Sequence, residues 1–343
     1  MTWQRFNSFM ISCVLLSLML SSSGQAQSNF NLRRPGGLPT QPATAKQNAS
    51  LTQPETSYTY TLFDFPGTLS TFSAGTEVSG KVSKLAVVGC YEGTAGEQPA
   101  SNFLMRYTVG KTKTTESYES IAVPGAEQGA FQCATSVNKS GTIVGLYTDA
   151  SGNYEGWELI GTTFSSINVP FQGAVSTWPS NINDSGEIAG DWFNGDSYAQ
   201  GFTLVNGTYT SINYPGAVYT DVWAVNNKGD LAGDYFDSPS GVNHGMTDIG
   251  GVFTTLDPPG SIYTFIQGLD DHDNAVGWFC TTTECEHAGG GGEQGFLYSG
   301  GNFTIFNFPG AVSTYLLGIS NAGVLVGYYQ DVAGNFHGFL ATP

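Results

Sequence analysis

Gly89-Cys90-Tyr91, Gly145-Leu146-Tyr147, Gly190-Asp191-Trp192, Gly233-Asp234-Tyr235, Gly277-Trp278-Phe279 and Gly327-Tyr328-Tyr329 are six copies of one Gly-x-aromatic unit. Each copy ends a strand-like stretch, and the same neighbours surround each in the same order. Self-similarity at a steady period defines an architecture before any single residue is weighed.

Working outward, each unit has four short segments. The first alternates like a half-buried strand and ends at proline, as in Thr61 to Gly67, Ser120 to Gly125, Ser211 to Gly216 and Ile305 to Gly310. Proline stops the strand and glycine permits the turn. The second segment runs into an Asn-x-x-Gly turn: Asn138 to Gly141, Asn183 to Gly186, Asn226 to Gly229, with Ser320 to Gly323 as a variant. Such turns need Asx-type bonds and a positive φ. The third is the Gly-x-aromatic strand. The fourth carries Glu155-Gly-Trp157, Gln200-Gly-Phe202, His244-Gly-Met246, Gln294-Gly-Phe296 or His337-Gly-Phe339.

Equivalent glycines of the first segment recur every 43 to 58 residues, near the roughly 40–50 residues of a four-stranded propeller blade. No amphipathic helical segment interrupts the pattern. The expected fold is all-β: a six-bladed β-propeller of four-stranded blades over residues 57–343. The last unit lacks a closing Pro-Gly strand, and the first begins with a spare one, Tyr58 to Pro66. The N-terminal strand is therefore expected to complete the final sheet and leave no sticky edge. An open β-solenoid is the alternative architecture. In this scheme the Gly-x-aromatic strand lines the inside of each blade, with glycine allowing neighbouring sheets to approach and the aromatic filling the space between them.

Residues 1–26 read as a signal peptide, with Arg5 ahead of the apolar run Met10 to Leu20, which is too short to span a bilayer. Residues 27–56 are rich in Pro, Gln, Thr, Asn and Ala and read as a disordered linker. The mature chain is expected to be secreted or periplasmic, not membrane-spanning, and monomeric. A formal charge of −17 repels phosphate backbones and argues against nucleic acid as a partner. Four cysteines follow the signal. Their even number in an exported chain points to disulfides, Cys280 with Cys285 and Cys90 with Cys133 across neighbouring repeats. The rival reading, a metal site completed by His272 or His287, matches no standard zinc spacing. No metal or cofactor is expected.

The strings His337-Gly-Phe-Leu340, Phe303-Thr-Ile-Phe-Asn-Phe-Pro-Gly-Ala311 and Asn321-Ala-Gly-Val-Leu-Val-Gly-Tyr328 resemble the bacterial extracellular repeats of the HAF family, named for a His-Ala-Phe tripeptide. Glycine replaces the central alanine here, and Glu or Gln replaces the histidine in three copies. The resemblance covers about residues 58–343. It implies an exported, propeller-like protein and brings no catalytic residue.

Function is expected where the repeats differ, on the face made by the Pro-Gly loops and the loops after the Gly-x-aromatic strands. Thr177-Trp178, Thr220-Asp221, Thr264-Phe265 and Thr314-Tyr315 should sit near its centre, where aromatics beside hydroxyls suit stacking on a sugar ring. The same residues equally suit strand-start packing, with hydroxyls tying the loops down. Asp191 and Asp234 are expected to face the pore, where paired carboxylates could serve glycoside hydrolysis or hold calcium. His244 and His337 occupy equivalent repeat positions, which suits a structural role. No nucleophile elbow, metalloprotease helix or phosphate loop is present. The leading expectation is a non-catalytic propeller that binds carbohydrate or another cell-envelope component. The alternatives are a carbohydrate-active enzyme, glycosidase or lyase, using those carboxylates, and a structural surface repeat without a defined ligand.

Overall fold

The computed structural model describes residues 51–52, 58–67, 70–79, 84–92, 101–109, 114–126, 130–195, 198–237, 242–282 and 292–343. The signal peptide and most of the linker lie outside these residues. All regular structure in them is β, as the repeat requires.

Two strands precede the sheets: β1 (Leu51–Thr52) and β2 (Thr59–Phe63). The first four-stranded sheet is β3 (Ser70–Ser79), β4 (Lys84–Glu92), β5 (Ser101–Val109) and β6 (Thr114–Ile121). The second is β7 (Gln132–Val137), β8 (Ile143–Thr148), β9 (Tyr154–Ile160) and β10 (Thr163–Ile167). The third is β11 (Ser176–Ile182), β12 (Ile188–Phe193), β13 (Ala199–Val205) and β14 (Thr208–Ile212). A nine-stranded sheet holds β15 (Tyr219–Val225), β16 (Leu231–Asp237), β17 (Val242–Ile249), β18 (Val252–Thr255), β19 (Tyr263–Leu269), β20 (Ala275–Cys280), β21 (Gln294–Ser299) and β22 (Asn302–Ile305), with β1 on its edge. Its halves meet at one parallel pairing, Asn243 with Tyr263. The last sheet is β23 (Ser313–Ile319), β24 (Leu325–Gln330) and β25 (Phe336–Thr342), completed by β2.

The fold is a β-propeller. Strands β3, β7, β11, β15, β19 and β23 follow one another around an axis, and β23 touches β3 to close the circle. The N-terminal strand closes the last sheet as expected, with Thr59 to Phe63 antiparallel to Thr342 to Gly338. Leu51 and Thr52 fall inside the stretch read as linker, yet they add a parallel strand beside Phe303 and Thr304.

The Gly-x-aromatic strands are second from the axis, not innermost, and this corrects the role of their glycine. At Gly190, Gly233, Gly277 and Gly327 an added Cβ would overlap the carbonyl oxygen of Trp178, Asp221, Phe265 or Tyr315, on the inner strand of the same sheet. Just beyond that carbonyl each inner strand slips register, between Pro179 and Asn181, Val222 and Ala224, Ile266 and Gly268, and Leu316 and Gly318. The inner strands β3 and β7 slip at the equivalent place. A bulge adds an unpaired residue and bends its strand. The glycine is therefore demanded by its bulged neighbour rather than by the next sheet.

The aromatic of the unit does pack as mortar. Tyr91, Tyr235 and Tyr329 stack on Phe65, Tyr214 and Phe308, at ring separations of 3.9, 3.7 and 3.9 Å. Each partner belongs to the Pro-Gly connector that feeds the sheet. The disulfide expected across neighbouring repeats joins Cys90 on β4 to Cys133 on β7. Cys280 is disulfide-bonded, and its expected partner Cys285 lies outside the described residues.

The carbonyl above Gly277 leaves no room for a methyl group. Gly277→Ala is expected to cost about 3 kcal/mol, the upper end of overpacking, while Gly292→Ala, where a Cβ meets only open space but φ is +98°, costs about 1 kcal/mol. Urea unfolding checks both. Equal costs would mean that backbone strain, not the carbonyl, explains the glycine.

Candidate functional site

The structure places the predicted site residues inside the ring. Thr71, Thr177, Thr220 and Thr314 are buried, and their hydroxyls accept the backbone amides of Phe65, Val169, Tyr214 and Phe308 at 2.8–3.1 Å. Thr264 is also buried and donates to Ser261 Oγ at 3.0 Å. Each hydroxyl thus ties down a connector, and those of Thr71, Thr220 and Thr314 hold the stacked rings of Phe65, Tyr214 and Phe308. Trp178, Phe265 and Tyr315 are likewise buried, Phe265 and Tyr315 in one cluster with Trp278, Tyr328 and the disulfide sulfurs. The sugar platform expected from Thr177, Trp178, Thr220, Thr264, Phe265, Thr314 and Tyr315 is therefore not presented. Packing at the strand starts, the plainer reading, accounts for their positions.

Asp191, Asp221 and Asp234 do come together, but not on an open pore. They are 2%, 7% and 0% exposed. Asp221 and Asp234 are direct cross-strand partners. Asp191 Oδ1 accepts the Val222 amide of the next inner strand at 2.7 Å, and Asp234 Oδ1 accepts Trp223 Nε1 at 2.7 Å. Burial pushes all three carboxyls up, and the mutual repulsion of Asp191, Asp221 and Asp234 adds to it for Asp191 and Asp221. Burial carries Asp234 up to about 7. A polysaccharide cannot reach carboxyls this enclosed, so the cluster does not supply the two accessible carboxylates that glycoside hydrolysis needs. The described residues contain no group of three His, Cys, Asp or Glu side chains arranged to hold a metal ion.

The histidines confirm their repeat equivalence. His244 Nδ1 lies 2.7 Å from Asp257, and its Nε2 lies 3.7 Å from Asp237. His337 sits likewise between Asp64 at 3.0 Å and Asp331 at 3.3 Å. Burial works against the charged imidazoles, but hydrogen bonds and the charges of their carboxylates win and raise both pKa values. Where the fourth segment has Glu155 instead, its partner is Asn168. Histidine pairs with aspartate and glutamate with asparagine, so these residues vary together as clamps.

The cavity lies elsewhere, at the axis on the Asn-x-x-Gly side. It encloses about 360 Å³. Its wall includes Ser136, Asn181, Ala224, Gln267, Gly268 and Leu317, which are the residues at or beside the bulges. Each bulge withdraws a residue from its ladder, and the bulges recur on successive inner strands. Ser136, Asn181 and Gln267 add polar side chains; Ala224 and Leu317 add apolar surface.

The mouth is laced by the turns. In each, the asparagine Oδ1 accepts two amides of its own turn, as at Asn138 from Ser140 and Thr142 and at Asn183 from Ser185 and Glu187. Its Nδ2 reaches to the next turn: Asn138 to the Asn183 carbonyl, Asn183 to that of Asn226, and Asn226 to that of Asp270, at 2.9–3.1 Å. A second course runs outside it, from the Lys139 amide to Asp184, Asp184 to Asn227, Asn227 to Asp271 and Asp271 to Asn321. Although burial opposes it, bonds from Asn227 and Asn321 hold the Asp271 carboxyl below its ordinary range. The Asx bonds were legible from the turn pattern. The lacing was not, although one signal exists: aspartate closes such a turn equally well, and only asparagine has the spare donor.

No family model matches the chain, and no curated protein matches it. Solved structures match in fold. A mutant of Trypanosoma rangeli sialidase displaying trans-sialidase activity aligns at a TM-score of 0.51 and 7% identity, over 85% of this chain and 59% of its own. A mutant of the Aleuria aurantia lectin in complex with alpha-methyl-L-fucoside aligns at 0.47 and 9%, over 79% and 93%. The β-propeller domain of the Pyrococcus furiosus Trilobed protease aligns at 0.41 and 9%, over 79% and 95%. At these identities the likeness concerns the fold alone.

Two variants test the site. Asn226→Asp keeps the turn acceptor but removes the donor to Asp270, and should cost about 1–3 kcal/mol. The exposed Asn227→Ala should cost less than about 1 kcal/mol. Equal losses in urea unfolding would contradict the lacing. For Asp234, the folded state keeps a proton above the ordinary aspartate range near 4, which the unfolded chain has released. Its contribution to stability therefore falls as pH rises from about 4 to about 7. Asp234→Asn should match the parent near pH 4 and exceed it by about 2 kcal/mol or more above pH 7. A variant no more stable than the parent above pH 7 would show that the carboxyl is ionised in the fold.

Proposed function

We propose that this chain is an exported, non-catalytic binding propeller of the HAF repeat type, with six four-stranded blades and a carbohydrate or similar polyhydroxylated cell-envelope component as its ligand. The blade count follows from treating the nine-stranded sheet as two blades that share one bridge, Asn243 with Tyr263, with β1 as an added edge strand. Export rests on the N-terminal sequence, read as a signal peptide.

One observation carries the ligand: the ring of bulges around a cavity of about 360 Å³. That volume lies in the range of small-molecule sites, roughly 300–1,000 Å³. A sugar needs hydrogen-bond groups around its edge and apolar surface against its C–H face. Ser136, Asn181 and Gln267 supply the first, and Ala224 and Leu317 the second. The site replaces the opposite face, where the repeats vary most, as the seat of binding. The carboxylates of an enzyme reading are buried away from it.

Gln267→Trp should plug the cavity without touching the glycine contacts. In calorimetric titration against neutral oligosaccharides chosen from a glycan array, the parent should bind saturably. The variant should lose at least about tenfold in affinity, or about 1.4 kcal/mol, at an unchanged thermal midpoint. Saturable binding that Gln267→Trp leaves intact would move the site off the axis. No binding to any glycan would remove carbohydrate as the ligand class.

A further inference from the structure

The two faces of the ring differ in where their basic residues lie. In this topology one face is built from the connectors between the second and third strands of each sheet and from the Pro-Gly connectors. None of these connectors contains a lysine or arginine. Asp64, Asp149, Asp257 and Asp331 belong to them, and Asp237 ends β16 beside one. Among the described residues the lysines and arginines lie away from it: Lys139 and Lys228 in the Asn-x-x-Gly turns, where they stand among acids such as Asp184, Asp230, Asp271 and Asp273, Lys84 at the start of β4, and Arg106 on β5.

The acidic face also exposes aliphatic side chains at one repeated position. Val175, Val218 and Val312 immediately precede β11, β15 and β23 and are 45%, 36% and 44% exposed. Ile262 is their half-buried equivalent before β19. Their amides bond carbonyls at or next to the ends of the second strands, Phe193, Phe236, Gln330 and Cys280, at 2.7–2.9 Å. The positions are thus held rigidly, and the exposure belongs to the built fold. Repeated exposed aliphatics around an axis, ringed by carboxylates, form a surface for a partner that is apolar and cationic.

The chain carries such a segment. Between Gln27 and Ser50 it has Arg33, Arg34 and Lys46 and no acidic residue, and Phe30 and Leu32 immediately precede the arginine pair. Strand β1 anchors the chain just after this segment, on the edge of β22. The residues from Arg34 to Leu51 can span up to about 55 Å. A domain of this size has a radius of gyration of only about 19 Å, so the acidic face is within reach. Tethering also makes the effective concentration about millimolar, enough for contacts that are individually weak.

We propose that the Phe30–Arg34 segment docks on the acidic face of its own ring, with Phe30 and Leu32 against the valine positions and the arginines against the carboxylates. This rests on a different face from the sugar cavity and is independent of it.

Carbodiimide crosslinking of the full chain carrying Arg33→Lys tests it, with peptide mass spectrometry as the readout. The introduced amine should couple to Asp64, Asp237, Asp257 or Asp331 at least about fivefold more than to Asp184 and Asp273 in the turns. Coupling should fall steeply in about 0.5 M salt, persist on tenfold dilution, and drop at least about threefold when Val218→Ser and Val312→Ser are added. Even coupling to both faces, or none, overturns the docking. A yield that falls with dilution overturns the intramolecular form in favour of contact between copies. A yield unchanged by the serine substitutions overturns the apolar contact.

Discussion

A backbone carbonyl occupies the space where a side chain would stand on the second strand, and the rest of the ring depends on that contact. The carbonyls of Trp178, Asp221, Phe265 and Tyr315 lie against Gly190, Gly233, Gly277 and Gly327. Only a residue without a Cβ admits such an approach. Beyond each carbonyl the inner strand slips by one residue. The slip turns residues such as Gln267 and Leu317 toward the axis and so produces the wall of the cavity. The same glycine divides the second strand into two faces. The residue after it meets the inner layer, as Trp278 and Tyr328 do, and the next one meets a connector.

The two faces then divide the remaining work. On one, threonine latches hold connectors to the sheets they feed, three of them with a stacked ring as well. On the other, asparagine amides run from turn to turn around the cavity mouth. Each of these bonds is worth about 1 kcal/mol net, and more to break when it leaves a buried carbonyl unpaired. The Cys90–Cys133 disulfide ties the first two sheets, and β2 ties the chain's beginning to its end. One departure from the pattern is costly in principle. Asp191, Asp221 and Asp234 stand where other repeats place Leu146, Phe265 or Trp278. Burial raises the pKa of each, because the apolar layer tolerates a neutral acid better than its ion.

The repeat made the fold legible because alternation, turn glycines and a spare strand are local features. The closure by Tyr58 to Pro66 and the Cys90–Cys133 bond followed from counting segments and compartment logic. What the repeat hid was depth. Gly277-Trp278-Phe279 reads alike whether its strand is innermost or second, because neighbouring-strand carbonyls leave no mark on its own sequence. The bulges were invisible for the same reason: a register slip depends on the pairing, not on one strand. For the site, Thr220 and Asp221 were visible as unusual residues at a strand start, but exposure was not. A hydroxyl that latches a backbone amide and one that meets a sugar have the same spelling. The lacing asparagines stood in plain view inside a turn motif that explained only half of each side chain.

The central claim is that the repeats form one closed ring whose last sheet depends on the first strand. Native-state hydrogen exchange tests it most directly, because it reports the free energy needed to open each segment. If β2 is an integral strand, the bonded amides of Thr59–Phe63 should exchange as slowly as those of β24 and β25, through unfolding of the whole ring. Exchange of Thr59–Phe63 at rates near those of an unfolded chain, while β24 and β25 remain protected, would contradict closure and leave an open array with a free edge.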